Sequence, residues 1–542
     1  MDLDVPARMR DGTILRANVY RPEGDGPWPT LLTRLPYSKD DPGLSRILDP
    51  VQAARRGFIV VIQDCRGRFA SEGEWMPFWF EAEDGHDTVE WAANLPGSSG
   101  RVGMYGESYF GNNQWLAALE QPPSLAAISP GFTSSEPMEG LFARGAALEL
   151  GLALPWTIEQ GANYLERLGA GATEPLIAEY DRLSVDGYWQ LPVSDQAVLR
   201  RLGIDHVGFL RSLDDPEFVA RCRVAGRQSS VMVPSFHTTG WHDAFVQGTL
   251  DNYSAMSDAG RDARLMVGPW THSTWSDPIG ELVFGKHADR HGVPAHELGD
   301  TNDLQLAWFR HHLARDRTAE LPEAPVRIFV MGRNVWRDET SWPLTRARQE
   351  TWFLHSDGSL SAAKPASDEA KSEFRYDPAD PVITHGGQHL LPPAYPAGPR
   401  DQSRVERRDD VLVFTSEPLE RELEATGHVR VVLHAESSAP STDWVVRLCD
   451  VHPDGRSFSL CDGILRAEDT SGQHRYEIDL WSTSNVFLEG HRLRVQVTSS
   501  CFPRWDRNLN TGNQRSNNHQ VAHQRIHHDA ARPSYVELPV ID

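Results

Sequence analysis

Between Gly100 and Ala118 the chain reads GRVGMYGESYFGNNQWLAA: a short apolar strand, a glycine-framed turn carrying Ser108, and a helix. Strand, sharp turn and helix in so short a compass constrain the fold more than any other feature. On an α/β sheet such an elbow between strand and helix is where a reactive serine stands. The flanking sequence has the same texture. In GFIVVIQDCRGRFASEG an unbroken apolar strand, Phe58 to Ile62, empties into a loop with Asp64 and Cys65. Continuous apolar strands suit a parallel sheet covered on both faces. DGHDTVEWAANL predicts a helix with Val89, Ala92 and Ala93 near one side, WPTLLTRLPYSK a strand leading into a loop, and VPARMRDGTILRANVYRP a hairpin around Asp11-Gly12. The strand before Ser108 is expected over Arg101 to Tyr105 and the helix after it from about Tyr109 to Leu119.

The rest of the 542 residues changes character twice. From Glu136 to about Arg227 the periodicity is helical, with no evident sheet strand. SSVMVPSFHTTGW, DARLMVGPW and APVRIFVMG then resume the strand pattern. From Trp352 onward DVLVFTSEPL, GHVRVVLHAESS, DWVVRLCDVHPDG, HRYEIDLWS and HRLRVQVTSS are short strands separated by turn residues, the pattern of a β-sandwich or jelly-roll. A chain of this length forms several domains. The expected division is an α/β domain over 1–135 and 230–350, a helical insertion over 136–229, and an all-β domain over 351–542.

A serine hydroxyl needs a base, and the base needs a carboxylate to orient it. On an α/β sheet the order is serine, acid, histidine, with each residue just past a strand end. TTGWHDAF supplies Asp243 and VGPWTHST supplies His272 in that order. Taken singly, Ser108 is also read as a structural turn residue, Asp243 as a helix cap and His272 as an ordinary surface or core histidine. The general serine motif places glycine at 110, where this chain has Phe110. Asp64, Arg66, Arg68 and Glu72 read as a charge network holding loops. His237 and His242 lack a third ligand for a metal, HPDG from His452 to Gly455 reads as a hairpin turn, and no nucleotide or zinc-protease motif is present. No cofactor and no metal is therefore expected.

Charge bounds the partners. Lys plus Arg number 53 and Asp plus Glu 76, a net −23, which disfavours nucleic acid and anionic membranes. The partner expected is a small ester or amide; self-association into a homo-oligomer is compatible with the sequence. The five cysteines are sparse and without C-x-x-C spacing, as reduced core residues would be. MDLDVPARMRDG has neither the basic stretch nor the apolar core of a secretory leader, and cytoplasmic location is the expectation.

Eight stretches together are more specific than any single motif: RLPYSK, DCRGRFASEGEW, DGHDTVEWAANLPGSSGRVGMYGESYFG, TTGWHDAF, VGPWTHS, VRIFVMGRNVWRDETSWP, RDDVLVFTSEPL and DWVVRLCDVHPDGRSFSLCDGILRA. In content and order the chain resembles the cocaine-esterase and X-prolyl dipeptidyl-peptidase group of α/β-hydrolases, the CocE/NonD or S15-like family. The resemblance implies an α/β-hydrolase fold with a helical cap and a C-terminal jelly-roll. It assigns Ser108 as nucleophile, Asp243 as acid and His272 as base, and its elbow, G-x-S-Y-x-G, accommodates Phe110. It also implies an oxyanion hole from the Tyr37 hydroxyl and the Tyr109 N–H, and an aromatic acyl pocket that includes Phe245. Phe142, Trp156 and Trp189 of the insertion are candidate pocket walls. Ester hydrolysis is the leading activity. An X-prolyl dipeptidyl-peptidase, amino-acid ester hydrolase or acylase is the alternative, and it would need an acidic group for a free amine; Glu107, Glu136, Glu139 and Glu149 are the carboxylates on offer. A carbohydrate-binding or scaffold protein is the remaining class, and it has no use for three triad residues.

Overall fold

The computed structural model describes residues 1–169, 173–193, 195–314 and 319–542. Twelve strands open the chain: β1 Asp2–Arg8, β2 Ile14–Tyr20, β3 Trp28–Leu35, β4 Ile59–Asp64, β5 Ser98–Glu107, β6 Leu125–Gly131, β7 Ala143–Arg144, β8 Ala147–Leu148, β9 Ser235–His242, β10 Ala263–Thr271, β11 Val326–Val330 and β12 Val335–Glu339. All but β7 and β8 form one sheet in the order β1-β2-β4-β3-β5-β6-β9-β10-β11-β12. From β4 to β11 every pairing is parallel, and the antiparallel hairpins β1/β2 and β11/β12 close its edges. Helices α1 Pro50–Arg55, α2 Glu81–Ala93 and α3 Ser108–Leu119 belong to its first half.

Connectivity reverses between β3 and β5. The chain leaves β3 for β4 on one side, then returns to place β5 on the other. Loops leaving the C-terminal ends of β3 and β5 therefore diverge and open a crevice, the place where sheets of this kind bind ligands. Strand β5 extends further than the sequence indicated at both ends, and α3 begins at Ser108 itself. The turn thus has no loop residues at all.

Between β6 and β9 lie α4 Leu150–Arg167, α5 Thr173–Leu183, α6 Ala197–Leu202 and α7 Pro216–Cys222. One element departs from the helical expectation: β7 and β8 pair across Gly145 and Ala146, both at positive φ (50° and 66°). The Gly145 carbonyl accepts from the Arg466 N–H at 2.7 Å, and Arg144 reaches the carbonyls of Asp462 (2.6 Å) and Asp479 (2.9 Å). The miniature hairpin is stabilised by docking on the C-terminal region, a long-range effect that no local periodicity reports. After β9 come α8 Val246–Asp258 and α9 Thr301–Leu313, which pack on the large sheet.

The C-terminal region is all β: β13 Arg348–Leu354, β14 Leu360–Ser361, β15 Ser372–Tyr376, β16 Leu412–Thr415, β17 Leu423–Ser437, β18 Ser441–Val451, β19 Ser457–Glu468, β20 His474–Phe487, β21 Arg492–Thr498, β22 Ala522–Ile526 and β23 Tyr535–Ile541. One sheet runs β14-β13-β23-β17-β22-β15, with β20 also on β17; the other runs β16-β21-β18-β19. Val431, Leu433, Ile478 and Val536 of the first meet Trp444, Val446, Leu460 and Val495 of the second in one core. Strand β18 is buried along its whole length, because its polar face is covered too. There Asp443 pairs with Arg466 at 2.8 Å, and Arg447 donates to Gln402 at 2.7 Å. All five cysteines are buried and free. No helix among the described residues is long and apolar enough to cross a membrane.

Candidate active site

Ser108 sits at φ +55°, a conformation uncommon for a residue with a β-carbon. Small neighbours permit it. A Cβ on Gly106 would lie 2.4 Å from the Phe110 ring, and one on Gly111 would lie 2.7 Å from the Gly131 carbonyl oxygen. Position 111, rather than 110, is where α3 approaches β6 too closely for a side chain, so Phe110 fits without strain on the elbow. Tyr109, second in α3, has an N–H among those left without an acceptor inside the helix. Its side chain is anchored separately. The hydroxyl donates to Glu81 at 3.0 Å and accepts from the Phe78 N–H at 2.7 Å, while Arg34, fully buried, pairs with Glu81 at 2.7 Å.

Asp243 and His272 follow adjacent parallel strands. In the β9/β10 register Thr271 lies opposite His242 beyond a bulge, which sets the next residues of both strands side by side. Asp243 Oδ1 lies 2.6 Å from His272 Nδ1, with the carboxylate fully buried and the imidazole 12% exposed. A carboxylate only accepts, so Nδ1 carries the proton and Nε2 is left free to receive one. Asp243 Oδ2 accepts from the Phe245 N–H at 3.0 Å and the Thr239 hydroxyl at 3.3 Å. One carboxylate thus closes the turn ahead of α8 and holds the imidazole, but it does not cap the helix: the residue before its first turn is Phe245, and no side chain caps α8. The His272 ring is braced edge-on by Phe245 (centroids 5.2 Å apart) and Phe132 (5.8 Å), and its carbonyl accepts from the Trp275 indole at 3.2 Å.

A cavity of about 50 Å³ at the β3/β5 crevice is lined by Tyr37, Phe78, Ser108, Tyr109, Asn112, Leu141, Leu152, Trp156, Phe209, Phe245 and Leu390. It collects Ser108, both expected oxyanion donors and two of the expected wall residues, Trp156 and Phe245. The Tyr37 hydroxyl accepts from the Trp156 indole at 3.0 Å, leaving its own proton to donate. Burial pushes the Tyr37 phenol well above its ordinary value, so that proton is held.

Phe142 and Trp189 are not among the lining residues. Phe142 is fully buried one layer back, packed on Phe209 (4.5 Å) and Phe218 (5.6 Å). Trp189 turns to Phe502 (4.8 Å) and lies under the Arg507 guanidinium (4.6 Å). In their place Phe78, Leu141, Leu152, Phe209, Asn112 and Leu390 form the wall. Only Leu152, one helical turn before Trp156, carried a signal in the sequence.

The carboxylates on offer for an amine are engaged elsewhere. Glu107 pairs with buried Arg290; Glu136 pairs with Arg223 at 2.7 Å; Glu149 accepts from the Trp505 indole at 2.7 Å; Glu139 accepts from the Gly145 N–H at 3.1 Å. None lines the cavity. Glu159 instead lines an adjoining cleft of about 610 Å³, which shares Leu152, Trp156 and Leu390 with it and is flanked by Thr271 and Ser273. His237 and His242 are fully buried, and burial pushes both down to about 3, so they are neutral. Neither belongs to a group of three metal-ligating side chains among the described residues.

Comparison with known proteins gives the family. Residues 11–274 match the family model of X-Pro dipeptidyl-peptidase (S15 family), and residues 321–537 match that of the X-Pro dipeptidyl-peptidase C-terminal non-catalytic domain. The chain is 36% identical to a cocaine esterase of Rhodococcus sp. (strain MB1 Bresler), over 99% of this chain and 98% of that one. Among solved structures it resembles an aminopeptidase from a marine sediment archaeon, Thaumarchaeota archaeon, at TM-score 0.82 and 26% identity, covering 100% of this chain and 97% of the other. It also resembles an α-amino acid ester hydrolase, at TM-score 0.78 and 25% identity, covering 99% and 96%. The chain therefore belongs to the X-Pro dipeptidyl-peptidase (S15) family of serine hydrolases, in its cocaine esterase-like CocE/NonD group.

Proposed function

We propose that the protein hydrolyses esters of small carboxylic acids with an apolar, planar acyl group, through an acyl-enzyme on Ser108. The observation that carries the reading is the composition of the cavity. One serine on a strained elbow faces walls made of Tyr37, Phe78, Tyr109, Trp156, Phe209 and Phe245, with no carboxylate among them. Ser108 Oγ attacks the ester carbonyl, His272 Nε2 takes its proton, and Asp243 stabilises the imidazolium that forms. The tetrahedral oxyanion receives the Tyr109 N–H and the Tyr37 hydroxyl. His272 then protonates the departing alcohol, and water releases the acid by the same steps in reverse order of roles. The alcohol portion extends into the adjoining cleft.

In this reading residues 136–229 act as a cap over the crevice and the C-terminal region is a jelly-roll. The boundary between α/β and all-β domains falls near residue 350, since Val335–Glu339 still pairs in the large sheet and Arg348–Leu354 already pairs with Tyr535–Ile541. Peptidase activity is the second reading, and the archaeal aminopeptidase relative favours it. It requires an anionic group for the chain end, and Glu159 is the carboxylate that lines the adjoining cleft. Kinetics on p-nitrophenyl benzoate, p-nitrophenyl acetate, amino-acid esters and X-Pro-nitroanilides separates the two. The proposal expects kcat/KM highest for the benzoate; a preference for nitroanilides or amino-acid esters overturns it.

A further inference from the structure

Remote in sequence from the triad, three side chains at one end of the C-terminal sheets converge without a role in hydrolysis. We propose that Asp450, His452 and His491 form a zinc-binding site. Asp450 is the next-to-last residue of β18, His452 opens the turn into β19, and His491 lies in the turn between β20 and β21. Strands β18 and β21 are direct neighbours, with Asp450 opposite Leu493 and Val451 opposite Arg492, so their register brings the two turns together.

The donor atoms all lie within 4.8 Å of one another. Asp450 Oδ1 is 2.8 Å from His491 Nδ1, and Asp450 Oδ2 is 3.9 Å from His452 Nε2. Zinc bound by nitrogen and oxygen at ~2.0–2.2 Å in tetrahedral geometry separates its ligands by roughly 3.3 Å. The two contacts run to different oxygens of Asp450, and the three donor atoms lie within 4.8 Å of one another, so coordination draws them together by at most about 1.5 Å. Both histidines stand on hydrogen-bonded turns, which limits the entropy lost in ordering them. The His452 N–H donates to the Arg456 carbonyl at 2.8 Å, and the His491 N–H donates to that of Leu488 at 3.0 Å.

Asp450 and His491 are buried, whereas the His452 side chain is 24% exposed, leaving the fourth position to water. Two imidazoles and a carboxylate suit Zn²⁺ over the harder Mg²⁺ and Ca²⁺. Ligation through His491 Nδ1 requires the tautomer with its proton on Nε2, so the ring stays neutral, no net proton is released and no oxidation state changes. The ion would fasten the β18–β19 and β20–β21 turns together. Asn485, whose amide lies 3.4 Å from Asp450 Oδ2, bridges to Met331 at the end of β11, so the fastening sits at the seam with the large sheet.

The test is zinc binding by the full-length protein after chelator treatment, measured by equilibrium dialysis with metal analysis, beside the visible spectrum of the cobalt-substituted protein. The expected result is one tightly bound zinc per chain and a tetrahedral cobalt spectrum. His452→Ala should weaken zinc binding at least ~10-fold and abolish that spectrum, with unchanged circular dichroism and unchanged ester hydrolysis. His491→Gln should do the same to binding; His452→Gln replaces the alanine variant if alanine unfolds the turn. A wild-type protein that retains no zinc, or a His452→Ala protein that retains it with undiminished affinity, overturns the proposal and leaves Asp450 and His491 as a structural hydrogen-bonded pair.

Discussion

The cavity has a floor and a roof built on different principles. The floor, Tyr37, Ser108 and Tyr109, stands at the C-terminal ends of two parallel strands, and the acid–base pair stands at the ends of two more. Backbone pairing fixes these positions to the register of the sheet, and a strained φ fixes the serine itself. The roof, Leu141, Leu152, Trp156 and Phe209, comes from the segment between β6 and β9, with Leu390 added from the C-terminal region. Side-chain packing and a few hydrogen bonds, rather than the register of the sheet, place it: Trp156 lies against Tyr109 (6.1 Å) and Phe209 (5.8 Å), and its helix is tied to Arg68 through Gln160 at 3.0 Å. On the proposed reading, chemistry is attached to the layer fixed by the sheet and acyl selectivity to a separately packed one. Changes to the floor should register in kcat, and changes to the roof chiefly in KM.

Ser108→Ala removes the floor's central group and is the largest effect expected. It should lower kcat by at least ~10³-fold, since the remaining donors cannot replace a covalent nucleophile. A fluorophosphonate should add its mass to the Ser108 peptide of the wild type and to no peptide of the variant. Because His272 must be neutral to act as base, kcat/KM should rise with pH through a single ionisation. Labelling of a different serine, or turnover retained by the alanine variant, would move the chemistry off the floor.

Tyr37→Phe deletes one oxygen from the floor and keeps the ring. Loss of one oxyanion donor costs ~10²–10³-fold in kcat, with KM nearly constant, because the charge it meets exists only in the transition state. Its melting temperature should match the wild type. An unchanged kcat removes Tyr37 from the oxyanion hole, and a large fall in melting temperature makes it a core residue.

The floor was far more legible in the sequence than the roof, for physical reasons. Ser108, Asp243 and His272 each follow an apolar run that reads as a strand, and strand ends are local events. Tyr37 also follows a strand, but only the family resemblance gave it a role, since a tyrosine after Leu-Pro reads equally as structural. Roof residues are selected by which aromatic faces inward after helices pack, and periodicity within one helix does not report that. Phe142 and Trp189 were as plausible as Phe209 in the sequence; contacts with Phe218 and Phe502, far away in the chain, decide against them. Leu390 lies in a proline-rich stretch that reads only as a connector. The β7/β8 hairpin escaped for a related reason, since its partner Arg466 is more than three hundred residues distant. In the all-β region the strand pattern of β18 does not report that both its faces are buried, because the partners of its charged residues come from other strands.

Floor and roof touch through one polar contact, the Trp156 indole N–H on the Tyr37 oxygen at 3.0 Å. That bond makes a smaller and more discriminating prediction. Trp156→Phe keeps an aromatic wall and removes the donor, so the Tyr37 hydroxyl loses the partner that holds its oxygen in place. A net contribution of ~0.5–1.5 kcal/mol for such a hydrogen bond corresponds to roughly a 2–10-fold fall in kcat. KM should also rise, because the indole is part of the wall. If the indole acts on catalysis only through Tyr37, the kcat losses will not multiply: Trp156→Phe should cost nothing further in kcat when added to Tyr37→Phe. Its effect on KM should persist in the double variant, since wall contact does not depend on the phenol oxygen. Full multiplicativity in kcat would mean that the indole touches the reacting ester itself, which would dissolve the division between a chemical floor and a selective roof at the point where the two meet.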